Sequence, residues 1–241
     1  MAGRAGRVLT PVIMTHNTAI GEVIPSLNPL APDTTVASLR GRSVVLVGLM
    51  GAGKTSIGRR LAARLGLPFR DADTEIETAA GCTIPEIFER FGEPAFRDGE
   101  RRVIRRLLAS EPMVLAYGGG AFMDAETRAA TRRHAISIWL RCPVSTLVKR
   151  VAGRDNRPLL ANGDREATLN RLTEIRNPVY AEADIVVDCG DEPPDHTTAT
   201  VLSALETYAP PRRLPVVLSA SSYDVTIGAG LIERAGALLA P

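Results

Sequence analysis

Gly48-Leu49-Met50-Gly51-Ala52-Gly53-Lys54-Thr55 satisfies every fixed position of the pattern G-x-x-x-x-G-K-[ST]. The apolar run Ser43–Val47 leads into it, and apolar residues at helical spacing from Thr55 to Leu65 lead out. A strand before and a helix after distinguish a phosphate-binding loop from an ordinary glycine turn. Its glycines let the backbone curl so that successive N–H groups aim at phosphate oxygens, and the helix N-terminus adds its positive dipole end. Gly51, Ala52, Gly53, Lys54, Thr55 and Ser56 are therefore the candidate nucleotide-binding residues. Lys54 is expected to reach the β- and γ-phosphates, and the Thr55 hydroxyl to ligate Mg²⁺.

Composition agrees with this reading. Of the 29 Lys and Arg residues only two are lysines, Lys54 and Lys149. A chain that uses arginine nearly everywhere keeps lysine where a compact, flexible ammonium is needed. The 241 residues, 45% of them hydrophobic, suffice for one α/β domain with extensions. A net charge of +2 indicates no polyanionic partner. Cys82, Cys142 and Cys189 are odd in number, widely spaced and without C-x-x-C. They suit a reducing cytoplasm and offer no metal pattern. No apolar run approaches the roughly 18 residues of a membrane span. Residues 1–40, rich in Pro, Thr, Ala and Asn, read as a disordered extension, with a transit peptide as the other reading.

From residue 41 to 209 strands and helices alternate, which predicts a parallel sheet covered on both faces. After Ser43–Val47, Pro68-Phe69-Arg70 leads a short strand into Asp71. Thr83-Ile84-Pro85-Glu86 has the form of a capping box. The helix it opens should stop at Gly92, and Pro94 should start another. Met113–Tyr117 and Ala135–Leu140 read as strands, with a helix from Pro143 to Val151. The polar stretch Gly153–Gly163 reads as a mobile loop, followed by a helix from Asp164 to Arg176 that ends before Pro178. Ile185–Val187 is the fifth strand and Thr197–Tyr208 the last helix. The run from Ala209 to Pro215 reads as a linker. Residues 210–241 then hold two short strands, Val216–Ser219 and Tyr223–Ile227, and the start of a helix.

A phosphate loop leaves the acceptor open. Asp71 and Asp73 end the second strand, where alternate residues share a face. One carboxylate is suited to Mg²⁺ and the other to a substrate hydroxyl; capping the next helix is the structural alternative. Arg97 lies near a helix start, where a cation is locally unfavourable, so a carboxylate ligand is a reason for it. Gly118-Gly119-Gly120 follows a buried strand and lets a ligand approach the backbone. Arg154 and Arg157 lie on the mobile loop, in place to bring charge to a transferring phosphoryl group. Arg176 is a second carboxylate clamp, or else a cation offsetting a helix C-terminus.

In this order and spacing the phosphate loop, Asp71-Ala72-Asp73, Phe96-Arg97 with Glu100, the triple glycine, Arg157-Pro158-Leu159-Leu160 and Arg176-x-Pro178-x-Tyr180 resemble shikimate kinase over residues 42–208. The resemblance implies a phosphate-loop NTPase fold like the nucleoside monophosphate kinases: a five-stranded parallel sheet flanked by helices, with a lid and a substrate-binding helical region. It implies ATP-dependent phosphorylation of the shikimate 3-hydroxyl in aromatic amino-acid biosynthesis. By position it assigns Asp73, Arg97, Arg176 and Gly118–Gly120 to shikimate and Thr55 and Asp71 to Mg²⁺. Lys54, Asp73 and Arg157 become the catalytic residues, with Lys54 and Arg157 on the phosphates. Arg150, together with a proline near Pro193, matches the adenine contacts. Tyr117 is bulkier than its counterpart. It further implies a monomeric cytoplasmic kinase without a nucleic-acid or membrane partner.

Val216-Val217-Leu218-Ser219 with Ser222-Tyr223-Asp224 and Gly228-x-Gly230 is similar to the start of 3-dehydroquinate synthase. The tail then reads as the beginning of a second enzyme of the same pathway in a fused protein, its nicotinamide and metal sites lying beyond residue 241. A gluconate kinase-like enzyme also suits arginine clamps, but the agreement of six motifs favours shikimate. A nucleotide switch or nucleic-acid ATPase lacks support: no Asn-Lys-x-Asp motif occurs, and aromatic residues make up only 4% of the chain.

Overall fold

A computed structural model of the protein describes residues 39–152 and 164–209 and, as backbone, the strands at 212–217 and 222–227. The expected N-terminal extension up to residue 38, the lid at 153–163 with Arg154 and Arg157, and the helix expected after 227 lie outside the described residues.

All five residues of β1 (Ser43–Val47) are buried. A strand covered on both faces can be apolar throughout, and β1 is the central strand of a five-stranded sheet. The spatial order is β2 (Phe69–Asp71), β3 (Val114–Ala116), β1, β4 (Ala135–Arg141), β5 (Ile185–Asp188), with every pairing parallel. Leu46 of β1 faces Ala116 on one side and Ile138 on the other. The chain moves from β1 out to β2, back through β3, and only then across to β4. The order therefore reverses at β1, and open α/β sheets bind ligands at the carboxyl ends of strands flanking such a reversal. The phosphate loop leaves β1 there, and the triple glycine leaves β3 beside it.

The helices are α1 (Lys54–Leu65), α2 (Ala72–Ala80), α3 (Ile84–Leu108), α4 (Ala125–His134), α5 (Val144–Val151), α6 (Arg165–Tyr180) and α7 (Pro194–Thr207). Helix α1 buries Ile57, Leu61, Ala62 and Leu65, the stripe expected of a helix against a sheet, and packs on α7. The capping box of α3 is present in both directions: Thr83 N–H donates to Glu86 Oε2 at 2.8 Å and Glu86 N–H to Thr83 Oγ1 at 3.4 Å. The stop at Gly92 and restart at Pro94 correspond to a kink inside α3, where Gly92 has φ 75° and ψ 174°.

Several boundaries depart from the sequence reading. Helix α6 does not end before Pro178 but runs to Tyr180. The lost proline N–H costs one ladder bond, while the following turn is anchored by buried Tyr180, whose hydroxyl donates to the Gly119 carbonyl at 2.5 Å. The strand expected over Met113–Tyr117 is limited to Val114–Ala116. Helix α4 was not anticipated, because its buried face is Thr127, Ala130 and Thr131 rather than large apolar residues. The linker reading fails from Arg212 onward: β6 (Arg212–Val217) pairs antiparallel with β7 (Ser222–Ile227). Pro215 is tolerated there because both strands of a two-stranded ribbon are edges.

Candidate active site

The loop after β1 is built for an anion. Gly53, the residue before α1, has φ 92° and provides no side-chain cap, and the first turn of α1 carries no acid. A glycine-capped, positive helix end of this kind suits phosphate. A Cβ on Gly48 would lie 2.8 Å from the Leu140 carbonyl oxygen, so a side chain there would push the loop off β4. Lys54 Nζ donates to the Gly48 and Leu49 carbonyls at 2.8 and 3.0 Å. The ammonium thus already lies across the loop, within its own cradle.

Thr55 Oγ1 donates to Asp71 Oδ2 at 2.9 Å, which joins the two residues assigned to Mg²⁺. Hydroxyl and carboxylate oxygens are the hard donors this ion takes. Asp71 also caps α2, its Oδ1 accepting from the Asp73 N–H at 3.2 Å; capping and the metal-facing position are compatible. The expectation that Asp71 and Asp73 alternate along one strand is corrected. Asp71 ends β2, and Asp73 stands in the first turn of α2. The helical turn still carries the Asp73 carboxylate to the triple glycine.

That triple glycine gathers the acceptor-site candidates. A Cβ on Gly118 would collide with Asp73 Oδ1. One on Gly119 would be 3.0 Å from Arg176 Nη1, and one on Gly120 would be 2.6 Å from Arg97 Nη1. Three candidate side chains from three helices therefore press against three consecutive residues that have none. Arg176 Nη1 donates to the Gly119 carbonyl at 2.8 Å, the acceptor it shares with Tyr180.

Arg97 is held from its own helix. Nη1 donates to Glu100 Oε2 at 2.8 Å, while Nη2 and Nε donate to Glu93 Oε1 at 3.1 and 3.3 Å. Glu100 is buried, and Glu93 is exposed. Burial pushes the Glu100 carboxyl above its ordinary range; Arg97 opposes the shift, and Asp73 and Asp124 add to it. For Arg97, burial acts against the charged form but Glu100 and Glu93 outweigh it, so its pKa is raised. An exposed Glu93 can be exchanged for an incoming carboxylate while Glu100 keeps the guanidinium in place.

Glu100 and Tyr180 stand inside the sequence motifs without a role assigned by the motifs themselves. Their spacings, i+3 from Arg97 and i+4 from Arg176, were the available signal, since such residues are neighbours on a helix. Arg150, expected at the adenine, donates through Nη2 to the Gly190 carbonyl and through Nη1 to Cys142 Sγ at 3.9 Å. Its Nη1 is 3.8 Å from a Cβ built on Gly53, which sets it at the rim of the phosphate loop. Pro193 caps α7 nearby in sequence to Gly190. Tyr117 is buried, its hydroxyl lies 2.8 Å from Thr131 Oγ1, and burial raises its pKa. Arg157 lies outside the described residues.

A protein-family model described as shikimate kinase matches residues 50–206. A shikimate kinase of Paramagnetospirillum magneticum is 56% identical over 168 residues, covering 70% of this chain and 86% of the relative. One from Caulobacter vibrioides is 56% identical over 170 residues, covering 70% and 85%. Among solved structures, shikimate kinase from Acinetobacter baumannii in complex with shikimate superposes with TM-score 0.67 at 38% identity, covering 71% of this chain and 96% of that one. The chain belongs to the shikimate kinase family. Its sheet is accordingly that of a phosphate-loop NTPase, and the matched stretch contains the phosphate loop from Met50 onward, the triple glycine, Arg97 and Arg176. The hairpin at 212–227 follows the last residue that the shikimate kinase model matches. Among the described residues no helix is long and apolar enough to cross a membrane.

Proposed function

We infer that this chain transfers the terminal phosphoryl group of ATP to the 3-hydroxyl of shikimate, giving shikimate 3-phosphate and ADP in aromatic amino-acid biosynthesis. The observation that carries the reading is the convergence of Asp73, Arg97 and Arg176 on Gly118–Gly120, one strand away from the phosphate loop. Shikimate offers one carboxylate and three hydroxyls. Two guanidinium groups and one carboxylate around a side-chain-free stretch of backbone complement that pattern. The membership in the shikimate kinase family supports the same substrate.

The roles follow from position. Lys54 leaves its two loop carbonyls for the β- and γ-phosphates, where charge spreads as the phosphoryl group departs. The backbone of Gly51–Ser56 surrounds the same phosphates. Thr55 and Asp71 would hold Mg²⁺, which would supply positive charge beside the phosphates. Arg97 and Arg176 grip the acceptor carboxylate and fix the ring. Asp73 accepts a hydrogen bond from the 3-hydroxyl, orients its oxygen in line with the γ-phosphorus and takes the proton late in transfer. Phosphoryl transfer is mostly placement and electrostatics, so orientation matters more than base strength. Arg150 borders the adenine, and Arg157 acts from a lid over the phosphates.

We assign residues 41–209 to a monomeric cytoplasmic kinase domain without nucleic-acid or membrane partners, and 1–40 to an extension. Residues 210–241 we assign to the start of a 3-dehydroquinate synthase-like segment, with the linker confined to the residues before Arg212. The test of the activity is ADP release with ATP and Mg²⁺ in the presence of shikimate, of gluconate or of no acceptor. Release dependent on shikimate alone supports the reading; release dependent on gluconate, or independent of any acceptor, rejects it.

A further inference from the structure

Cys142 and Cys189, far apart in sequence, meet in the fold. Cys142 follows β4 and Cys189 follows β5. Arg141 and Asp188 are register partners, and the Cys189 N–H donates to the Arg141 carbonyl at 2.8 Å. The cysteines are thus the next facing pair at the carboxyl edge of the sheet. Neighbouring parallel strands hold such partners about 4.8 Å apart with side chains on one face, within the Cα separation a disulfide spans. Cys189 Sγ donates to the Val187 carbonyl at 3.5 Å, so its proton stays on its own strand.

The pair also touches the phosphate loop. Cys142 Sγ donates to the Ala52 carbonyl at 3.8 Å, and Arg150 Nη1 donates to Cys142 Sγ at 3.9 Å. Arg150 Nη2 donates to the carbonyl of Gly190, the residue after Cys189. One guanidinium therefore bridges both cysteine segments at the loop rim. Cys142 is half-buried and lines a small cavity with Leu49, Ala52 and Leu147, while Cys189 is buried. The neighbouring Cys189 thiol holds the Cys142 thiol below its usual range, with burial opposing and Arg150 assisting. The same pairing with Cys142, together with burial, pushes Cys189 up. Cys142 is the less buried thiol and the one an oxidant reaches first, and Cys189 faces it as the resolving thiol.

We propose that Cys142 and Cys189 form a redox modification site, oxidised by a hydroperoxide to an intrachain disulfide that distorts the phosphate loop and weakens ATP binding. The Cys142 thiolate attacks one peroxide oxygen; the S–O bond forms, the O–O bond breaks, and the departing hydroxide takes a proton to become water. The Cys189 sulfur then attacks the Cys142 sulfur; the S–S bond forms, the S–O bond breaks, and a second water leaves with the Cys189 proton. Two electrons pass from the thiols to the peroxide. Closing the sulfurs to about 2.05 Å turns Cys142 Sγ from the Ala52 carbonyl. Ala52 is one of the residues that shape the loop, its N–H closing a turn onto the Leu49 carbonyl at 3.2 Å. Arg150 loses its sulfur contact at the same time.

The effect on ATP rests on the phosphate-loop reading above; formation of the bond does not. The protein is treated with hydrogen peroxide, remaining thiols are blocked, and peptides are mapped by mass spectrometry, with the KM for ATP and for shikimate measured before and after. A 142–189 cross-link is expected, with the KM for ATP raised about fivefold, the scale of one lost hydrogen bond, the KM for shikimate unchanged, and reversal by dithiothreitol. Cys82→Ala should still form the bond; Cys189→Ser and Cys189→Ala should not. Absence of the cross-link, a cross-link through Cys82, or a cross-link with unchanged KM for ATP overturns the proposal. Failure of the nucleotide-site reading is recognised separately, by unchanged ATP binding in untreated Lys54→Ala.

Discussion

Asp73, Arg97 and Arg176 come from three helices, and each owes its place to a glycine that offers no Cβ. Truncating either arginine to alanine should weaken shikimate binding by about 2–3 kcal/mol, the scale of a charge-assisted hydrogen bond lost. An acceptor without the carboxylate should be insensitive to both changes, and steady-state kinetics with the paired acceptors decides this. Lys54→Ala should cost about 3–4 kcal/mol in transition-state stabilisation, as for removal of one preorganised donor, with little change in thermal stability. Glu100 supplies a pH dependence. Its folded pKa is raised by burial, so the folded state holds this proton more tightly than the unfolded chain does. Its ionisation therefore costs stability as pH rises through that pKa, and the cost is relieved as pH falls. Protonation on the acid side also removes the charged partner of Arg97. The KM for shikimate should rise as pH falls through the raised pKa of Glu100, and Glu100→Gln should flatten that rise; an identical profile in the variant would remove Glu100 from the role of positioning Arg97.

Among the elements, those that face the site were the most legible. The phosphate loop and α1 follow from one motif and its flanking periodicity, and the capping box of α3 from Thr83 and Glu86. Thr83→Ala should cost about 1 kcal/mol of stability by removing that cap, read by chemical denaturation. Elements that bury small or polar faces were not legible. Helix α4 carries Thr127 and Thr131 inward, where hydrogen bonds replace apolar contact: Thr131 Oγ1 donates to the Thr127 carbonyl at 2.7 Å. Since that hydroxyl proton is already engaged, Tyr117 is the donor to Thr131. Tyr117→Phe should thus lower stability by about 1 kcal/mol while leaving turnover intact. The place of Asp73 was misjudged because three-residue β2 ends at Asp71 and a capped helix begins at once; strand alternation cannot continue past a cap. The contact of Cys142 with Cys189 was illegible for another reason: strand register is set by the whole sheet, not by local spacing.

For the whole molecule, the strand order places the phosphate loop and the triple glycine at the carboxyl ends of two adjacent strands, β1 and β3. All proposed catalytic residues precede Tyr180, and the shikimate kinase match ends at residue 206. A chain ending at Ala209 should therefore keep full kinase activity and the same denaturation midpoint; a loss of several kcal/mol would make the hairpin at 212–227 part of the kinase core. The central claim, that Asp73 presents the 3-hydroxyl of shikimate to the γ-phosphorus of ATP, is tested most directly by phosphorus NMR of the product, made by the unaltered protein and by Asp73→Asn. The expected result is one phosphate ester at the 3-position, with its formation slowed at least about a hundredfold in Asp73→Asn and ATP affinity unchanged. An ester at another hydroxyl, or an Asp73→Asn variant that forms product at the normal rate, would contradict it.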